Sequence, residues 1–251
     1  FLRNKARVVE AGAMVLPGLV GDLDLPRQNA ASTAGWLATE TTAASESNLT
    51  TNLVSFRPKT VAVRSQVTRR MQKQYLAVED LVRKDIADGI GTTIDAGAIS
   101  GSGASGQPTG ITNAGVGTFT GATFTYAEML EAEADLGAAN ALQGSLAWMT
   151  RSSVITVLKS REEITSSGQG FLMKADNTMS GYPVLRTEQV AALTLIFGNW
   201  EELMIGLWGG LDLFSDPYTD GNSAILNIRG FQDIDIQIRH LTSFTFAADV
   251  A

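Results

Sequence analysis

The chain has 251 residues, 44% of them apolar and only 18% charged, so it can bury a sizeable core and general disorder is excluded. A formal charge of −7 excludes a general basic surface for gripping nucleic acid, and the lack of cysteine excludes disulfides and thiolate-bound metals. The charged fraction lies below the roughly 25% of ordinary globular proteins, and thirteen Arg stand against six Lys. Both fit a surface that spends its life against partners, because the flat, weakly hydrated guanidinium is favoured at interfaces; an Ala/Gly-rich sequence and a coding bias toward Arg account for them equally well.

The longest apolar run, Val8 to Val20, is broken by Glu10 and Pro17 and is too short to span a bilayer. Nor does it have the layout of a signal peptide. Arg3 to Met14 predicts a short helix stopped near Pro17 and Gly18, and Asp22-Leu23-Asp24-Leu25-Pro26 alternates like a brief strand. From Gln28 to Asn52 the hydrophobicity collapses. Between Ala38 and Asn52 there are seven Ser/Thr, two Glu, two Asn and one large apolar residue, Leu49. Such a stretch cannot offset the ~1–2 kcal/mol of backbone entropy lost per ordered residue. A disordered loop or linker would share this composition. Trp36, unfavourable to leave in water, and the strand-like flanks, with Val61 and Val63 on one face after Pro58, point instead to a two-stranded arm. An isolated hairpin is marginal in water, so the arm needs a neighbour.

Next comes the clearest helix, Leu76 to about Ala98. Val78, Val82, Ile86, Ile90 and Ile94 recur every four residues, while Glu79, Asp80, Arg83, Lys84, Asp88 and Asp95 take the other faces. The glycine-rich run 101–110 closes it. Tyr126 to Leu136 predicts a second helix, and Thr150 an N-cap for a third that carries Val154, Ile155 and Leu158. Short strands are expected at Leu195–Phe197, Met204–Leu207 and Leu211–Phe214, then turn chemistry over 216–222. Finally Ile234, Ile236 and Ile238 alternate with Asp233, Asp235, Gln237 and Arg239, as in a half-buried antiparallel strand. Strands after helices with no repeating βαβ pattern make the fold class α+β.

Residues that carry chemistry are scarce. Gly101 to Gly106 matches G-x-G-x-x-G, but a helix precedes it where a dinucleotide site needs a strand. His240 is the only histidine and is expected to be structural. The pairs Glu131/Glu133, Glu162/Glu163 and Glu201/Glu202 are expected on solvated faces. Asp216, Asp220 and Asn222 fit a plain turn better than a calcium loop. No catalytic, cofactor-binding or metal-binding residue is expected.

In order along the chain lie Leu25-Pro26-Arg27-Gln28, Trp36, Glu40, Glu46, Phe56, Pro58-Lys59-Thr60, Val67-Thr68-Arg69-Arg70, Glu79-Asp80-Leu81-Val82-Arg83, Gly106-Gln107-Pro108-Thr109-Gly110-Ile111, Phe197-Gly198, Gly209-Gly210-Leu211 and Asp216-Pro217. Through these the chain resembles the tailed-bacteriophage major capsid protein family, with its Hong Kong 97-type fold, along nearly its whole length. The resemblance implies an N-terminal arm over 1–27 and an extended loop over 28–60 lying on an adjacent subunit. It implies a peripheral domain with a long spine helix over 61–123 and 224–251, and an axial domain over 124–223. The implied function is a non-enzymatic shell subunit, without cofactors, that assembles as hexamers and pentamers around DNA it does not read. A portal and scaffold or decoration proteins would be further partners, no membrane is involved, and assembly would occur in the host cytoplasm. The start at Phe1 fits removal of an N-terminal scaffolding segment, and a truncated chain fits it too. The implied subunit-interface residues are Trp36, Glu40, Glu46, Phe56, Arg57, Lys59, Arg69 and Arg70. A nanocompartment shell protein of the same fold is the alternative, and a small soluble enzyme or binding module a distant second.

Some members of the family cross-link subunits through a lysine in the extended loop. Here no lysine lies between Gln28 and Arg57. Assembled particles should therefore run at monomer mass on denaturing gels; ladders above that mass would show a covalent bond between subunits.

Overall fold

The computed structural model describes residues 6–37, 39, 43, 46–74, 78–163, 170–219 and 225–250. Its longest strands, β10 (Leu203–Asp216) and β11 (Ile225–Ile238), run antiparallel from Leu203↔Ile238 to Asp216↔Asn227. With β4 (Lys59–Thr68) beyond β11 and β1 (Met14–Leu16) beyond β10, they make a four-stranded sheet of order β1-β10-β11-β4.

The helix expected over Leu76 to about Ala98 is α3 (Val78–Ser100), with Leu76 outside the described residues. Its four-residue stripe works as the spacing requires. Val78, Val82, Ile86 and Ile90 bury against Val67 and Ile228, with Val61, Val63 and Ile94 packed alongside. The helix lies so close to the sheet that a Cβ on Gly230 would come within 2.5 Å of Ile86 Cγ2. Only glycine fits there.

A second, six-stranded mixed sheet has the order β5-β12-β9-β6-β8-β7. Its strands are β5 (Gly117–Thr118), β6 (Leu146–Thr150), β7 (Thr178–Met179), β8 (Tyr182–Arg186), β9 (Leu195–Asn199) and β12 (Phe244–Ala247). Trp148 stacks on Phe197 at 4.3 Å between ring centres and meets Phe119 and Phe124 edge-on. Helices α4 (Tyr126–Ala138) and α5 (Ser152–Ser160) add Met129, Leu136, Val154 and Leu158 to this core. Helix α4 starts on a capping box in which Thr125 Oγ1 accepts from Ala127 N at 3.3 Å and Glu128 accepts from Thr125 N at 2.7 Å. One apolar cluster, including Ile99, Ile111, Ile196, Trp200, Leu203, Ile236 and Phe244, joins the two sheets. Among the described residues no helix is long and apolar enough to cross a membrane.

Several expectations are corrected. The first helix is only α1 (Val8–Ala11), after which the chain enters β1 alongside β10; residues 3–5 lie outside the described set. The strands Met204–Leu207 and Leu211–Phe214 are one strand, β10, interrupted by a bulge between Trp208 and Asp212 at which Gly209 takes φ 73°. Thr150 does not cap α5. It ends β6, and its buried hydroxyl donates to the Thr194 carbonyl at 2.7 Å, leaving Arg151 as N-cap. Glu188 serves that helix end instead, accepting from Ser152 N at 3.3 Å and Arg151 Nε at 2.6 Å. Strand β10 hydrogen-bonds into the four-stranded sheet, and β12 into the six-stranded one.

Asp95, expected on the polar side of α3, is 2% exposed. It accepts from Val8 N at 2.8 Å and Arg7 N at 2.9 Å, which ties the start of α1 to the long helix (short α1 has no side-chain cap of its own). Burial pushes its carboxyl above the ordinary aspartate range, and these hydrogen bonds only partly offset the rise. A pKa raised by folding gives stability that is full below the unfolded value, about 3.9 for aspartate, and is lost as pH rises through the folded value. Asp95→Ala, which strands the buried Val8 N–H and the part-buried Arg7 N–H, should cost about 1–3 kcal/mol in chemical denaturation. Asp95→Asn should flatten the fall in stability from pH 4 upward; an unchanged slope would show that Asp95 does not titrate with folding.

Candidate functional site: the arm and its base

The polar segment is bounded by an antiparallel pair, β2 (Leu23–Ala30) and β3 (Thr50–Phe56), in register from Leu23↔Phe56 to Ala30↔Thr50. Beyond the strands, Thr33 N donates to Ser47 Oγ at 2.7 Å, so the two limbs stay close. The base of this pair is apolar and buried. Val54 and Phe56 pack on Met204, with Leu16, Leu23, Leu25 and Trp208 around them. Fully burying a side chain such as Phe56 contributes about 1.5–3 kcal/mol. Leu53, opposite Pro26 in the pair, is exposed, and further out so are Leu37 and Leu49, while Trp36 is 103% exposed.

Below the hairpin the chain turns through Arg57 into β4, and there lies the most demanding electrostatic feature of the base. The Asp235 side chain is 0% exposed, yet it pairs with the Lys59 ammonium. It also accepts from Arg57 N at 2.9 Å, Gln237 Nε2 at 3.0 Å and Ile236 N at 2.9 Å. Alternation along β11 puts Asp235 on a solvent face. The hairpin covers that face because β3 lies against β11, and nothing in the local pattern signals it.

Three further contacts fix the base. Arg57 reaches Asp24 Oδ1 at 3.0 Å and Asp22 Oδ2 at 3.4 Å. The Ser55 hydroxyl, then Arg57, holds the Asp24 carboxyl below its usual range, and Asp24 in turn raises Arg57. Across the hairpin, Arg27 Nη1 donates to the Arg239 carbonyl at 3.0 Å. His240 lies between Glu202 and the Gln28 carbonyl, so Glu202 is not on a purely solvated face.

The eight expected interface residues therefore do not form one site. Phe56, Arg57 and Lys59 meet at the base. Trp36 and Glu46 stand exposed on the outer arm, and Glu40 lies outside the described residues. Arg69 and Arg70 open α2 (Arg69–Gln74) at the far end of β4, about 30 Å from Lys59 at strand rise. Sequence reasoning missed Asp235, Glu202 and the arm-facing role of His240.

Elsewhere the candidate motifs are occupied by structure. The glycine-rich loop after α3 closes on itself through Gly103 N to the Pro108 carbonyl at 3.0 Å and Gly110 N to the Gly101 carbonyl at 2.9 Å. Asp216 accepts from Tyr218 N, Thr219 N and Arg229, and the Thr219 hydroxyl first, then these N–H groups, pulls its carboxyl down. Asp220 and Asn222 lie outside the described residues. Among the described residues no group of three His, Cys, Asp or Glu side chains could hold a metal ion.

Two sheets, a long helix on one of them and a hairpin arm rooted beside it make up an α+β body. The family model for phage capsid proteins matches residues 2–248, and the chain belongs to the phage capsid family. The major capsid protein of Halomonas phage phiHAP-1 is 32% identical over 250 residues, covering 98% of this chain and 41% of that protein. The chain thus spans about two-fifths of that relative's length. A capsid chain of a native GTA particle superposes with a TM-score of 0.79 at 17% identity, over 100% of this chain and 92% of that one. A chain of Gordonia phage Cozz does so with a TM-score of 0.74 at 14% identity, over 99% and 87%. The fold is the Hong Kong 97-type capsid fold expected from the sequence.

Removing one partner of a buried ion pair leaves an uncompensated charge, at about 3–5 kcal/mol. Lys59→Met should therefore destabilise the chain by about 3 kcal/mol in chemical denaturation, and Lys59→Met/Asp235→Asn, whose neutral amide oxygen can still accept from Arg57 N, should recover part of the loss. If the single variant were neutral, Asp235 would not depend on Lys59.

Proposed function

We propose that this chain is a major capsid subunit that assembles with copies of itself into the icosahedral head enclosing phage double-stranded DNA. The observation that carries the reading is the hairpin arm, fixed at its base and bearing a few exposed apolar side chains on a polar outer segment. Trp36, Leu37 and Leu49 project there in the open, and the hydrophobic effect favours covering them. A second copy supplies the cover.

In this reading residues 28–60 lie over an adjacent subunit. The four-stranded sheet with α3 is the peripheral unit, and the six-stranded sheet with α4 and α5 the axial unit that meets its copies at five- and six-fold positions. Sheet membership supports drawing the boundary so that β10 belongs to the peripheral unit and β12 to the axial one. The subunits form pentamers and hexamers and meet a portal and scaffold or decoration proteins. Assembly takes place in the host cytoplasm and the product resides in the virion. The wall holds its DNA loosely, since a net charge of −7 gives no general basic surface. The role is structural, without catalysis or cofactor.

Electron microscopy and size exclusion of the expressed chain test this. The full chain should form closed particles, and deletion of residues 38–52 should leave a folded subunit that assembles poorly. Trp36→Ala should weaken particles without changing subunit stability. A stable monomer over a wide concentration range would contradict the reading, as would normal, equally stable particles from the deletion variant.

A further inference from the structure

His240, the only histidine of the chain, sits where the arm meets the body. Its Nδ1 lies 2.9 Å from Glu202 Oε2, on the turn Trp200–Glu202, and its Nε2 lies 3.3 Å from the backbone carbonyl of Gln28 on β2. Both neighbours can only accept hydrogen bonds here. A neutral imidazole has one N–H and one lone pair, so it satisfies one acceptor and turns a lone pair on the other. Only the imidazolium donates to both.

The charged surroundings are simple. The Glu202 carboxylate touches the ring; Arg239 is beside it in the chain, and Arg27 donates to the Arg239 carbonyl. The ring borders a polar cavity of about 620 Å³ lined also by Gln28, Asn29, Asn140 and Asn199, which gives water and protons access.

We propose that His240 is a proton-operated latch on the root of the arm. As imidazolium it ties Gln28 to Glu202. On losing its proton it keeps the charge-assisted bond from Nδ1–H to the Glu202 carboxylate, the stronger of the two, and lets go of the Gln28 carbonyl. Gln28 lies two residues before β2 ends at Ala30, so release loosens the last turnings of the strand and re-aims the exposed outer arm. Histidine side chains change charge between about pH 5 and 8, so the latch is closed on the acid side. The inference stands on this geometry and is independent of whether the chain forms shells.

Hydrogen exchange of the full chain at pH 5.5, 6.5 and 8.0, corrected for intrinsic rates, tests it. Protection of amides in residues 23–30 should be about three- to tenfold higher at pH 5.5 than at 8.0, the gap between a charge-assisted and a lost hydrogen bond. Amides of residues 195–199 serve as the internal standard for an intact fold. The gain should vanish in His240→Gln and shrink in Glu202→Gln. The nitrogen shifts of the single imidazole should show double protonation over the same pH range in which the arm is protected. Equal protection ratios in the wild type and His240→Gln, or a ring that stays neutral from pH 5 to 8, would overturn the latch.

Discussion

A carboxylate with no exposed surface must find its compensation inside the protein, and Asp235 finds it at the meeting point of three elements. Lys59 brings the opposite charge from the first residue of β4, Arg57 brings a backbone N–H from the turn below the hairpin, and Gln237 brings an amide from β11 itself. Uncompensated burial of such a charge is prohibitive, so the three must be in place together. Satisfying Asp235 sets where the hairpin leaves the sheet, and that in turn closes Phe56 and Val54 over Met204. The direction of the arm is a consequence of this packing and not of its own sequence, which is too polar to hold a direction unaided.

The same division runs through the molecule. Rigidity is concentrated where the two sheets share a core around Trp200, Ile236 and Phe244, and where α3 seats against Gly230. On the outer arm Trp36, Leu37 and Leu49 stand exposed in an otherwise polar segment. A rigid body that aims an unsatisfied, adhesive extension is suited to joining copies of itself, since orientation is settled before contact and little entropy remains to be lost on assembly.

Much of this was legible in the chain. The four-residue recurrence from Val78 to Ile94 and the alternation from Ile234 to Ile238 are local patterns, and local patterns survive folding. Asp95 and Asp235 were not legible. Each lies in such a pattern on the side read as solvent, and each is covered by a segment 87 or 178 residues away. Thr150 is similar: its composition suits a cap, but a carbonyl 44 residues on takes its hydroxyl. Two strands are expected where there is one, β10, because the stretch between them, with Gly209 and Gly210, is a bulge within the strand. For the arm, Trp36 was the signal that it is more than a linker, while the residues that hold its base announce themselves only once β3 lies against β11.

The most direct measurement is an electron cryomicroscopy map of particles assembled from this chain, read at the arm. The account predicts that Lys59 and Asp235 remain paired at the base while Trp36 lies buried against a second copy. An outer arm folded back on its own subunit, or left uncovered in an intact shell, would contradict it.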